Sequence, residues 1–325
     1  MVRLLFRIAV AVIVLSALAI AGFRMMATGR ETLAVADLLT PESTLTETPH
    51  GQIHSIAIGP DDGPQVLLIH GTVGWAGFWQ DTMESLAAKG YRAIAIDLPP
   101  LGLSERTLNT DYSRQAQGLR ILAFVEASEI APILVAHSVG AGAAAEALLV
   151  DADAFKGAVF VNAALALGQD GSGQQLMAPL RPAGVREALV ASTVTNPYLT
   201  RRYLAYFMHR KDAITDANVA AIQYPFTRKG TTETLARWLP TLIIPPRNAL
   251  STDPGAYGDI ATPVAIIWGR QDEVTPPNEA VALQQALGDA PLYWLDDVGH
   301  IPQIEAPEAF QNALANALAG LADPS

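Results

Sequence analysis

The chain opens on an uncharged apolar run, IAVAVIVLSALAIAGF, from Ile8 to Phe23, with Arg3 and Arg7 before it and Arg24 and Arg30 after it. Sixteen residues of helix rise roughly 24 Å, a little less than a hydrocarbon core of about 30 Å. Flanking arginines close such a gap by snorkelling. The pattern predicts an N-terminal transmembrane helix within residues 1–26, with the membrane as a partner through that helix. The tail before it is short, which puts the body of the chain on the extracytoplasmic side. The alternative is a secretory signal, cut after Ala17-Leu18-Ala19 or Ala19-Ile20-Ala21. Apolar residues continue past both sites to Phe23, which favours the anchor.

Residues 27–42 form a polar connector with weak helical periodicity at ETLAVADLL. STLTETP and QIHSIAI then flank Pro49-His50-Gly51 as a hairpin. Beyond it, short continuous apolar runs alternate with helical patterns. QVLLIH, YRAIAID, APILVAH, GAVFVNAAL, TPVAIIWG and APLYWLDD have the length and β-branched content of strands buried on both faces. FWQDTMESLAAKG, SRQAQGLRILAFVEAS, AGAAAEALLV, NEAVALQQALG and PEAFQNALANALAGL read as helices, the second with Leu119, Leu122 and Val125 as its apolar face. Such alternation implies a mostly parallel, doubly wound α/β sheet. It is interrupted between 166 and 261 by a proline-rich, helical stretch that holds Arg181, Arg186, Arg201, Arg202, Arg210 and Lys211. This stretch reads as an inserted helical cap between core segments 43–165 and 262–325.

Half the residues are hydrophobic and 16% are charged, so a sizeable core is expected. A net charge of −11 argues against a nucleic-acid partner. The absence of cysteine excludes thiol catalysis and disulfides. No histidine–carboxylate spacing suggests a metal site.

In doubly wound sheets the chemistry gathers beyond the carboxyl ends of the strands. There the sequence places His70-Gly71-Thr72, Asp97, Ser138, Asp272 and His300. Ser138 taken alone reads equally as a helix N-cap or as a nucleophile. Joined by an aspartate and a histidine at the same edge, in the order Ser138, Asp272, His300, it reads as the nucleophile of a triad. The hydroxyl needs a base, which is His300, and the imidazole needs a carboxylate to orient it, which is Asp272. The backbone N–H groups of Thr72 and Val139 are the candidate oxyanion donors. Asp170 is the rival acid, set aside because the strand before it ends on Asn162. Glu273 is aimed elsewhere. His70 and His137 read as buried residues with satisfied hydrogen bonds, and His50, His54 and His209 as surface or cap residues.

These motifs resemble the α/β-hydrolase superfamily, in its serine-nucleophile branch with an inserted cap. The likeness runs from about Ser43 to Leu321. HGTVGWAGFW is similar to the oxyanion loop, DLPPLGLS to the D-x-P-G-x-G-x-S turn with Pro100 in place of a glycine, and VAHSVGAG to the nucleophile turn with Ala136 in place of the first glycine. WGRQDEVTPP is similar to the acid loop, GHIPQIEAPEAF to the histidine segment, and MHRKDAITDANVAAIQYPF to a stretch of the cap. The resemblance implies a hydrolase that needs no cofactor and cleaves an ester or related acyl bond of a small-molecule substrate through an acyl-enzyme. Epoxide hydrolases and haloalkane dehalogenases carry an aspartate where Ser138 stands, which disfavours both. A carbon–carbon bond hydrolase or a cofactor-free perhydrolase-like enzyme would use the same triad, and a non-catalytic membrane-associated binding module is the remaining alternative. Oligomeric state is not legible.

Overall fold

A computed structural model describes residues 2–107, 110–169, 178–244 and 246–322. Eight strands form one sheet in the order β1-β2-β4-β3-β5-β6-β7-β8. They are β1 (Ser43–Thr46), β2 (Ile53–Ile58), β3 (Gln65–Ile69), β4 (Arg92–Ile96), β5 (Ile133–His137), β6 (Gly157–Val161), β7 (Val264–Gly269) and β8 (Leu292–Leu295). The β1–β2 hairpin and the β2–β4 pair are antiparallel, and every pairing from β4 to β8 is parallel.

The continuous apolar runs form central strands because both of their faces are covered. Leu67, Ile69, Ile94, Ile96, Leu134 and Phe160 pack against α3 (Arg114–Ala127), α4 (Val139–Val150) and α9 (Pro277–Ala286). The alternate residues Val66, Leu68, Ala93, Ala95, Val135 and Val159 pack against α2 (Gln80–Ala88) and α10 (Pro307–Ala322). Each fully buried Leu or Ile contributes about 2 kcal/mol before its ordering entropy is counted.

Helix α3 corrects the expected face. Leu119 is 42% exposed, whereas Gln117, Gly118 and Arg120 turn inward with Ile121, Phe124 and Val125. Polar residues can face inward here because Arg120 donates to the Asp111 carbonyl at 2.7 Å and Gln117 donates to the Pro99 carbonyl.

Between β6 and β7 the described residues contain helices and no strand: α5 (Ala183–Ser192), α6 (Thr200–Phe207), α7 (Asp216–Gln223) and α8 (Thr231–Ile243). Val190, Leu204, Met208, Ile222 and Leu235 build their own apolar cluster, which Val73, Leu101 and Ile301 join from loops of the sheet. That shared cluster seats the segment, called the cap below, over the carboxyl ends of the strands.

The N-terminal helix α1 (Val2–Arg30) runs four residues beyond the expected segment 1–26. Ala27 is buried against the cap, the Arg24 guanidinium pairs with Glu187, and Arg30 donates to the Thr195 carbonyl at 2.7 Å. The residues of α1 from Arg3 to Gly22 are exposed, and Phe23 is half-buried.

Candidate active site

Ser138 sits on the one-residue turn between β5 and α4, with φ 55° and ψ −128°. A non-glycine residue held in this region costs about 1–3 kcal/mol, so its surroundings must over-determine it. The Ser138 N–H donates to the Val161 carbonyl at 3.1 Å, and the Ser138 carbonyl accepts from Ala141 and Ala164 at 3.0 Å. Only a small side chain fits the packing beyond. A Cβ on Gly140 would lie 2.3 Å from the His70 carbonyl oxygen. Ala136 and Ala141 are fully enclosed, so alanine is accommodated where glycine is the commoner choice. The Ser138 hydroxyl makes no bond to the first turn of α4. Its Oγ lies instead 2.8 Å from His300 Nε2.

His300 follows β8. Its Nδ1 is 2.8 Å from Asp272 Oδ2. A proton on Nδ1 leaves the Nε2 lone pair facing the serine hydroxyl. The ring is fixed from both ends of its residue: the His300 N–H donates to the Phe207 carbonyl at 2.9 Å, and the His300 carbonyl accepts from His137 Nε2 at 2.7 Å.

Asp272 follows β7 and is 3% exposed. Burial alone would raise its pKa. The imidazole of His300, the Thr275 hydroxyl and the Asn162 amide outweigh burial and hold the carboxyl below its ordinary value. Oδ1 accepts from the N–H groups of Val274 and Thr275 at 2.8 and 3.0 Å, and Oδ2 accepts from Thr275 Oγ1 and Asn162 Nδ2, both at 2.6 Å. Asn162 and Thr275 were not legible as site residues. Each reveals itself only through a partner brought in by the fold.

Thr72 lines the same cavity as Ser138 and His300, and Val139 lines the neighbouring one. As the first residue of α4, Val139 carries an amide with no acceptor inside the helix. The loop bearing Thr72 is held by His70, whose Nδ1 donates to the Gly71 carbonyl and whose Nε2 accepts from the Leu98 N–H, both at 3.0 Å. Burial pushes the His70 pKa down, consistent with a neutral ring used once as donor and once as acceptor. Asp97 braces the loop further by accepting from Ala76 N–H at 2.6 Å.

Three histidine readings are revised or sharpened. His54 is fully buried, with Nδ1 2.7 Å from Asp97 Oδ2 and Nε2 2.9 Å from Ser43 Oγ. His137 is only half satisfied, because its Nδ1 has no partner among the described residues. Burial and the nearby His300 push its pKa down to about 3. His209 does lie in the cap, 3.1 Å from the Asp297 carboxylate. Glu273 is exposed, and Asp170 lies outside the described residues.

The cavity around Ser138 is walled by Val73, Phe78, Tyr203, Phe207, Ile222 and Ile301. Phe207 lies with its ring centre 5.7 Å from that of His300. Burial raises the Tyr203 pKa to about 12, so its hydroxyl stays neutral. The adjoining cavity, beside Val139, is bordered by Leu98, Leu101, Ala143, Trp238 and Leu242. The guanidinium of Arg114, which also borders it, is bonded to the carbonyls of Leu165 and Ala164 and to the Ser251 hydroxyl.

An eight-stranded, mostly parallel sheet with a buried serine on a strained strand-to-helix turn defines an α/β-hydrolase fold. The chain belongs to the alpha/beta hydrolase fold family, whose model matches residues 64–307. A 2-hydroxy-6-oxononadienedioate/2-hydroxy-6-oxononatrienedioate hydrolase of Cupriavidus pinatubonensis is 24% identical over 262 residues, 78% of this chain and 86% of that protein. A putative lipase from Acinetobacter baumannii superposes with a TM-score of 0.69 at 22% identity, over 92% of this chain and 96% of its own. A membrane phospholipase A, described as a bacterial virulence factor, superposes with a TM-score of 0.68 at 18% identity, over 99% of this chain and 98% of its own. The two structural likenesses are of fold. The chain is a hydrolase of this fold.

Proposed function

We propose that the chain is a membrane-anchored serine esterase acting on uncharged, apolar acyl esters. The observation that carries this reading is the buried series Ser138–His300–Asp272, joined by two contacts of 2.8 Å. Ser138 Oγ attacks the ester carbonyl as its proton passes to His300 Nε2. Asp272 stabilises the resulting imidazolium. The N–H groups of Thr72 and Val139 receive the negative charge on the carbonyl oxygen, each such donor lowering a barrier by about 3 kcal/mol. The tetrahedral adduct collapses, and the alcohol leaves with the proton from His300. Water, deprotonated by the same ring, then releases the acid and restores Ser138.

The walls of the site support the substrate class. Among the described residues, the cavity at Ser138 has no cationic side chain, and Arg114 next door is already committed to protein oxygens. Burying an unpaired carboxylate there would be costly. A second reading, carbon–carbon bond hydrolysis, is favoured by the name of the Cupriavidus relative. That name denotes a substrate with two carboxylates, for which the described residues of these two cavities offer no uncommitted arginine or lysine. The anchor reading rests on the bare apolar face of α1 and its position at the N-terminus. The body would then lie on the extracytoplasmic side.

The test is labelling of the folded protein with a fluorophosphonate, followed by peptide mapping and turnover of p-nitrophenyl esters of increasing chain length. An adduct on Ser138 with ester turnover is expected. A folded protein that leaves Ser138 unlabelled defeats the nucleophile assignment. Labelling without ester turnover, but with cleavage of a vinylogous dicarboxylate ketone, favours the second reading.

A further inference from the structure

Three helices run side by side where the anchor meets the cap. At one level Arg30 of α1 donates to the Thr195 carbonyl just after α5, Thr195 Oγ1 lies 2.8 Å from Thr232 Oγ1 at the start of α8, and Thr232 N–H donates to Glu31 at 3.0 Å. At the next level Arg24 pairs with Glu187 of α5, and Arg186 of α5 donates to the Ala236 carbonyl of α8 at 2.8 Å. Moving from the first level to the second, α1 goes from residue 30 to 24 and α8 from 232 to 236. One further step in that direction takes α1 into its apolar run, Phe23 to Ile8. The same step takes α8 into LPTLII, Leu239 to Ile244.

Seven residues of α8 beyond Ala236 advance about 10 Å, which carries Ile243 past the level of Arg24, on the side toward which the apolar part of α1 runs. Ile243 is 51% exposed. Charge follows the same axis. Residues 166–261 hold ten Lys and Arg against seven Asp and Glu, and residues 1–30 hold four Arg and no acid. The rest of the chain holds seven basic residues against 25 acidic ones. The cap, which α1 joins, is thus net positive while the rest of the body is strongly acidic, the complement of a vesicle surface rich in anionic lipid.

We infer that the C-terminal end of α8, centred on Ile243, is a second membrane contact that docks the cap on the bilayer entered by α1. Trp238, Thr241 and Leu242 of the same half-helix border the cavity beside Val139. Docking therefore brings one wall of that apolar chamber to the lipid surface, where an apolar ester is concentrated. The inference rests on the anchor reading of α1.

The chain has no cysteine, so single-cysteine variants of the full protein can be labelled cleanly. Ile243→Cys, Leu15→Cys and Val150→Cys would each carry an environment-sensitive fluorophore in vesicles of phosphatidylethanolamine and phosphatidylglycerol containing nitroxide lipids. The expected result is blue-shifted, nitroxide-quenched emission at 243 and 15, and water-like emission at 150. A quenched label at 15 with a water-like label at 243 overturns the docking and leaves the anchor standing. Labels at both positions that escape quenching overturn the anchor and the docking together. A blue-shifted label at 243 that lipid nitroxides do not quench also overturns the docking, because protein then covers the tip. As a second test, Ile243→Asp is expected to lower turnover of a vesicle-borne long-chain ester about tenfold while leaving soluble p-nitrophenyl acetate unchanged. Equal rates on both substrates, or equal losses on both, overturn it.

Discussion

Thr275 grips both oxygens of Asp272: its hydroxyl donates to Oδ2 at 2.6 Å and its backbone N–H to Oδ1 at 3.0 Å. The carboxylate that faces His300 is thereby fixed in plane and position by a neighbour three residues away. Thr275→Val keeps the shape and the backbone donor but removes the hydroxyl. A lost hydrogen bond to a charged group is worth about 1.5 kcal/mol, so kcat/KM for a p-nitrophenyl ester should fall about tenfold. Thr275→Ser should recover most of the loss. Steady-state kinetics of the two variants decide it, and undiminished activity of the valine variant would remove Thr275 from the site.

Asn162 donates to the same Oδ2 at 2.6 Å and to the Gly299 carbonyl at 3.2 Å. Replacing it with Asp puts a second carboxyl where the first has its donor, and two such groups resist ionising together. The acid limb of the kcat/KM profile should move to higher pH in Asn162→Asp. Asn162→Ala should lose activity without that movement. A pH–rate profile for each variant separates positioning from charge.

His137 supplies a stability term that can be read by titration. Its folded pKa is about 3, against an ordinary value near 6.5. The unfolded chain therefore binds more protons between those two values. The contribution is complete above about pH 6.5 and shrinks as pH falls toward 3, by up to about 1.4 kcal/mol per unit. Asp272 and Asp97, both held below an ordinary value of 3.8, lose theirs only at lower pH. His137→Gln retains a donor for the His300 carbonyl and removes the titration. Between pH 7 and 5 the wild type should lose about 2 kcal/mol more than this variant, seen as converging thermal midpoints. Parallel curves for the two proteins would contradict the assignment.

The turn at Ser138 has unequal tolerance at Gly140 and Ala136. Gly140→Ala places a methyl 2.3 Å from the His70 carbonyl, which moves the loop carrying Thr72. Soluble yield and thermal midpoint should drop, and activity should drop with them. Ala136→Gly removes an enclosed methyl from a strand and should cost only about 1 kcal/mol, with turnover nearly unchanged. A gain in activity from the glycine would mean that Ala136 strains the turn.

Phe207 walls the cavity and lies over His300. Phe207→Ala leaves its backbone acceptor in place while opening space beside Ser138. The p-nitrophenyl ester series should shift its optimum toward longer acyl chains. An unchanged optimum would place the acyl group elsewhere, with the cavity beside Val139 as the alternative.

The central strands were legible because burial on both faces imposes continuous apolar runs, as in QVLLI and VAIIWG. The residues gathered at the sheet edge followed from asking what ends each run. What stayed hidden was polar and non-local. Asn162 carries no charge and meets Asp272 across 110 residues of chain. His54 was assigned to the surface because its alternation in β2 gives no sign of Asp97, which lies 43 residues on. The α3 face was misjudged because polarity predicts exposure only where no buried acceptor awaits, and Arg120 and Gln117 have such acceptors.

The buried Glu305 accepts from the Gly299 N–H at 2.9 Å and also from the Arg210 N–H of the cap, while the His300 N–H donates to the Phe207 carbonyl at 2.9 Å. The loop that carries His300 is thus stitched to the cap on both sides of the imidazole. A cap that swung fully open would unpick those stitches and take His300 out of register with Ser138. Full opening of the cap would therefore break the Ser138–His300 contact at the moment it exposed the cavity.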